Sequence, residues 1–121
     1  MRVAAVVRDL MTFSRILEAA TRSGAQLRRV DSPTDLPSAD QLDLVFVDWG
    51  DRSADWGGQL TAWVASSARP PRVILFGPHT DLDAHAAARA AALAPMWARS
   101  KLVTELPGLF AAGRGARSLS E

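Results

Sequence analysis

Asp43-Leu44-Val45-Phe46-Val47-Asp48 sets four consecutive apolar residues, three of them β-branched or aromatic, between two carboxylates. So short an apolar run predicts a strand buried on both faces. Asp48, at its carboxyl end, then emerges at the edge of the sheet, where open α/β folds keep their sites. A second run, Val3-Ala4-Ala5-Val6-Val7, is followed by Arg8 and Asp9. Two strands thus deliver carboxylates to one edge.

Outward from these runs the chain alternates. Arg2 to Val7 reads as strand one. Phe13, Ile16, Leu17 and Ala20 keep the spacing of one helical face, and Gly24 is placed as the C-terminal stop. Gln26 to Val30 is a half-polar strand suited to a sheet edge, and Pro33 and Pro37 restrict residues 31–41 to single turns. After Asp48, a Gly- and Asp-rich turn (Trp49 to Gly58) leads to a helix over about 59–67, with Leu60, Trp63 and Val64 inward. Arg69-Pro70-Pro71 forces an extended entry into strand four, Arg72 to Phe76. Thr80 to Asp83 reads as a capping box opening an alanine-rich helix over about 81–93. Met96-Trp97-Ala98 is a short fifth strand. Ser100 caps a turn through Glu105, and Pro107 opens a last helix through Ala112. Strands alternating with helices imply a parallel sheet covered on both faces, a three-layer α/β/α fold with strand order 2-1-3-4-5.

Composition excludes several classes. The 121 residues carry a formal charge of +1 and no cysteine. Near-neutrality leaves no electrostatic footprint for nucleic acid or anionic lipid, and thiol catalysis, disulfides and cysteine-bound metals are ruled out. Met1-Arg2 leads into an apolar run too short for a signal peptide or a membrane span, so a cytoplasmic protein is expected. Residues 113–121 have too few apolar side chains to pack and predict a flexible tail. Gly113-Arg114-Gly115 in that tail follows no strand, so it is no phosphate-binding loop.

With Asp9 after strand one and Asp48 ending strand three, the chain resembles the receiver domain of two-component signalling over residues 2–112. The resemblance implies a flavodoxin-like five-stranded sheet. It also implies a phosphoryl acceptor at Asp48, an acidic pair after strand one that binds magnesium, a Thr or Ser ending strand four, and a Lys ending strand five before a proline. Asp9 matches the second acid of the pair, but Arg8 stands in place of the first. Phe76 or Gly77 falls where the hydroxyl belongs, Arg99 replaces the Lys and Ser100 the proline. Magnesium needs hard oxygen ligands and neutralises charge during phosphoryl transfer, so a guanidinium at position 8 competes with it. Arg8 and Arg99 are instead expected to pair with Asp9 and Asp48. The resemblance therefore implies a pseudo-receiver: no enzyme, no cofactor, and a regulatory module contacting a protein partner. A homodimer is expected through the helix of residues 81–93, strand five and the last helix, where Leu102, Leu106, Leu109 and Phe110 exceed what a small helix needs.

Two alternatives stand beside this reading. One is a working phosphoacceptor, with Asp9 holding magnesium. The other is a small-ligand or anion site at the sheet edge, served by helix N-termini. Flavin is not expected, because Arg8-Asp9-Leu10-Met11 replaces the Ser-, Thr- and Gly-rich phosphate loop of flavodoxins. Trp49 and Trp56 are expected to be partly exposed beside Asp48, as a lid or contact surface. His79 is a rim residue in the turn after strand four, where its spacing to Asp81 and Asp83 matches no metal pattern.

Overall fold

The computed structural model describes the backbone of residues 1–120 and the side chains of residues 1–111. The tail expected over 113–121 lies outside the residues whose side chains are described. The elements run β1 (Arg2–Val6), α1 (Leu10–Ser23), β2 (Gln26–Val30), β3 (Leu44–Asp48), α2 (Trp56–Ala65), β4 (Arg72–Gly77), α3 (Leu82–Ala90), β5 (Trp97–Ala98) and α4 (Arg99–Ser120). Single 3₁₀ turns at Pro33–Asp35, Ala39–Gln41 and Trp49–Asp51 complete the connections. All pairings are parallel, and the order is β2-β1-β3-β4-β5. This is the expected flavodoxin-like sheet, with β3 at its centre.

The period of two along each strand sorts the core. Val3, Ala5 and Val7, Leu44 and Phe46, and Ile74 and Phe76 pack toward Ile16 and Ala20 of α1 and toward α4. Ala4 and Val6, Val45 and Val47, and Leu75 face α2 and α3, meeting Leu60, Ala84 and Ala88. The amino edge is tied by Asp43. Its Oδ2 accepts from the Arg2 amide at 2.8 Å, and its carbonyl accepts from the Arg72 amide at 3.2 Å, joining β1, β3 and β4. Gly24 ends α1 at φ +75°, as its placement predicts.

Three elements depart from the sequence-based expectation. The turn and separate helix expected around Pro107 are one helix, α4, with Pro107 inside it. A proline inside a helix costs about 3 kcal/mol. Leu102, Leu106, Leu109 and Phe110, spaced i, i+4, i+7 and i+8, are all buried on the face toward α1 and the sheet. At roughly 1.5–3 kcal/mol for each large apolar side chain, their burial outweighs the proline. Phe110 packs on Phe46 with ring centroids 6.1 Å apart. The apolar surplus that suggested a dimer face is therefore consumed inside the chain.

Next, α2 begins at Trp56, three residues early, because Trp56 and Leu60 are buried one turn apart. A Cβ on Gly57 would lie 3.2 Å from that of Ala91, so its bareness lets α2 approach the end of α3. Finally, the N-cap of α3 is Asp81 rather than Thr80. Its Oδ1 accepts from the Ala84 amide at 3.0 Å.

Trp49 is the largest correction. It is 1% exposed, and its indole Nε1 donates to the Ala84 carbonyl at 2.8 Å. It continues the parity of Val45 and Val47, so it packs toward α2 and α3, on the opposite face from Asp48. Neither Trp49 nor Trp56 covers the Asp48 pocket. Trp49→Ala should lower unfolding stability by about 3–5 kcal/mol in urea titration, whereas a surface lid would lose less than about 0.5 kcal/mol.

Candidate functional site

β3 delivers Asp48 to the carboxyl edge on the face shared with Phe46, toward α1 and α4. Burial leaves Asp48 3% exposed. Such a carboxylate needs a counter-charge or it must hold its proton. The junction of β5 and α4 supplies the charge. Arg99 follows Ala98 directly, and its Nη2 donates to Asp48 Oδ1 at 3.1 Å and to Oδ2 at 3.4 Å. The same guanidinium lies over the Phe76 ring, 5.4 Å from its centroid. Its Nη1 donates to Thr12 Oγ1 at 3.3 Å, and that hydroxyl donates to Asp9 Oδ2 at 2.5 Å. One side chain from the start of α4 thus links the end of β3 to the first turn of α1.

Asp9 also caps α1, accepting from the amides of Met11 at 3.3 Å and Thr12 at 3.4 Å. Arg8, of opposite strand parity, reaches neither Asp9 nor Asp48. Its Nε donates to Asp51 Oδ2 at 2.9 Å and its Nη2 to the Asp51 carbonyl at 3.3 Å, in the turn after β3. The expected pairing therefore holds for Arg99 with Asp48 and fails for Arg8, while Thr12, which the sequence reading missed, is Asp9's side-chain partner. The signal was available: Thr12 lies three residues beyond an N-cap aspartate, where its hydroxyl can fold back.

The register decides between the two residues expected in place of the hydroxyl. Asp48 pairs with Phe76, and both point toward α1 and α4. Phe76, fully buried, is therefore the neighbour of Asp48. Gly77 turns the other way: a Cβ there would meet Met96 Sδ at 2.9 Å, Gly50 N at 3.0 Å and Gly50 Cα at 3.2 Å. A Cβ on Gly50 would in turn lie 2.7 Å from Pro78 Cδ, so the two glycines permit a close crossing of β4 and the turn after β3.

Ser100 is exposed as the second residue of α4. His79 is exposed in the turn after β4, and its carbonyl lies 2.9 Å from His85 Nε2. The N-termini that an anion would use are occupied by the chain's own carboxylates, Asp9 on α1 and Asp81 on α3. Among the polar groups of this edge three large apolar side chains stand exposed: Leu10 and Met11 open α1 and Leu82 opens α3, 68%, 77% and 77% exposed.

Burial pushes the Asp48 carboxyl up from the ordinary carboxylate range, opposed by Arg99 and reinforced by the charges of Asp51 and Asp9. The Thr12 hydrogen bond instead holds Asp9 below that range, against some desolvation and with help from the Met11 and Thr12 amides and Arg99.

The chain matches no family model and no curated protein sequence. Among solved structures it is similar to a response regulator from Hahella chejuensis, with a TM-score of 0.66 and 17% identity over 92% of each chain. It is also similar to the response regulatory domain of protein mrkE from Klebsiella pneumoniae, with a TM-score of 0.61 and 16% identity over 93% of this chain and 97% of that one. The fold is receiver-like. Among the described residues, no helix is long and apolar enough to cross a membrane.

Two outcomes test this geometry. Because the Asp48 pKa is raised on folding, its contribution to stability is fully present below the unfolded pKa and is lost as pH rises through the folded one. Asp48→Asn should therefore melt higher than the wild type at about pH 7, with the gain disappearing toward about pH 4, read by thermal denaturation across pH. Arg99 is 42% exposed, so water can solvate it once its partner is neutral. Phe76→Thr, which would supply the missing hydroxyl, should instead cost about 3–5 kcal/mol in urea titration, because it opens a cavity beneath Arg99.

Proposed function

We propose that this chain is a non-catalytic, receiver-like regulatory module of bacterial signalling that acts by contact with another protein. Asp48 serves in it as an anchored structural carboxylate. The observation that carries this reading is the engagement of both Asp48 oxygens by Arg99, 3.1 and 3.4 Å away. A phosphoryl acceptor needs an oxygen free to attack and a cation free to receive the developing charge. Here the cation is already committed to the nucleophile, and the neighbour that should follow the phosphate is the buried ring of Phe76.

The residues do not fit magnesium either. A hard divalent ion asks for several oxygen ligands with room for water. Arg8 stands in place of one acid and is tied to Asp51, while Arg99 lies between Asp48 and the Thr12–Asp9 pair. For the partner, the homodimer surface of α3, β5 and α4 loses the four apolar residues that suggested it, because they are core. Leu10, Met11 and Leu82 support contact at the carboxyl edge instead.

Incubation with acetyl phosphate, with and without magnesium, should leave the intact mass unchanged. A phosphoryl mass gain that Asp48→Asn abolishes would establish a working acceptor in place of this reading.

A further inference from the structure

We infer that the groove between α1 and α4 is a binding site for a small amphiphile with an apolar body and a single carboxylate. The groove shares no residue with the Asp48 pocket, and its ligand goes beyond the contact role proposed for the carboxyl edge.

Residue size makes the groove. On α1, Arg15, Ala19 and Arg22 stand at i, i+4 and i+7 along one side of it. On α4, Val103, Pro107 and Ala111 stand at i, i+4 and i+8 along the other. Ala19, Pro107 and Ala111 are short, and between the two helices they leave a trough of about 660 Å³. Its floor is the outer edge of Leu106 and Phe110, 4% and 6% exposed. Phe110 rests on Phe46 of the central strand, so the floor is fixed by the core. Val103 stays 40% exposed, an apolar wall that the packing of the described residues does not cover.

Charge names the head group. At the mouth, Arg22 Nη2 donates to Glu18 Oε1 at 2.9 Å, so these two neutralise each other. Arg15 has no such partner: among the described residues its guanidinium makes no hydrogen bond or ion pair. One uncommitted cation therefore stands at the lip of an apolar trough. A guanidinium fork matches a carboxylate through two parallel hydrogen bonds, which leaves the ligand's apolar body to lie along Ala19, Val103 and Pro107. A second negative charge would meet Glu18, and a cationic head group would meet Arg15.

The dimensions select a small molecule over a docked chain. The volume falls within the roughly 300–1,000 Å³ of small-molecule sites, which are mostly apolar with a few placed polar groups. Ten residues line the groove. A standard protein–protein interface uses roughly 20–30 a side.

Decanoate, titrated below its micelle concentration into the full chain and followed by amide NMR shifts, tests this. One decanoate should bind saturably per chain, with the largest shifts in residues 15–23 and 103–111. Arg15→Gln should weaken binding about tenfold, the worth of a charge-assisted hydrogen bond. Arg28→Gln, an exposed change on β2 outside the groove, should leave it unchanged. Ala111→Trp, also at an exposed position, should fill the trough and abolish binding. Acetate, which has the charge without the chain, and decyltrimethylammonium, which has the chain with the wrong charge, should leave the groove amides unshifted. The inference is overturned by an absence of saturable shifts, by affinity that Arg15→Gln leaves intact, or by equal binding of the cationic amphiphile. Shifts of the same amides on concentrating the ligand-free chain would assign the groove to a second copy and overturn it too. If Ala111→Trp does not fold, Arg15→Gln, an exposed substitution, still decides.

Discussion

A carboxylate buried at the end of a central strand has to be matched by charge, and in this chain the match is Arg99. Asp48 cannot turn to solvent, because β1 and β4 flank β3 and α1 and α4 cover its face. The guanidinium that meets it comes from the junction of β5 and α4 and also touches Thr12. A single guanidinium therefore links the carboxyl ends of β3 and β5 to the start of α1. It sits at the rim, with Arg99 partly in water, so the pair retains solvation that a fully buried one would lose.

The same parity that turns Asp48 toward Arg99 distributes its neighbours. Phe76 shares the face and lies under the guanidinium, while Trp49 falls on the other face and becomes part of the core against α3. Gly50 and Gly77 let the two strand ends cross closely enough for these faces to stay apart. The pocket is thus a filled, charge-matched edge rather than an open cleft, and its surroundings offer exposed apolar side chains at the helix starts. That combination is what supports the proposed contact role.

Much of the fold was legible in the residues. The apolar runs located β1, β3 and β4, the half-polar Gln26–Val30 predicted an edge strand, and Gly24 marked the end of α1. The misplaced elements share a cause. Pro107, Gly57 and Gly58 were read by local propensity as breaks, yet buried side chains spaced one helical turn apart kept the helices continuous through them. Trp49 and Trp56 were read by residue type as surface groups, although strand period already placed Trp49 opposite Asp48.

By itself the sequence determined the sheet, its order and the delivery of Asp9 and Asp48 to one edge, because strand and helix periods are local patterns written along the chain. It also determined that the expected acid, hydroxyl and lysine were replaced. Only the tertiary structure decided which arginine meets which carboxylate. Arg8 is one residue from Asp9 yet pairs with Asp51, while Arg99, far along the chain, holds Asp48. Ion pairs form between side chains that share a face and come within reach, and that depends on strand register and parity rather than on distance along the chain.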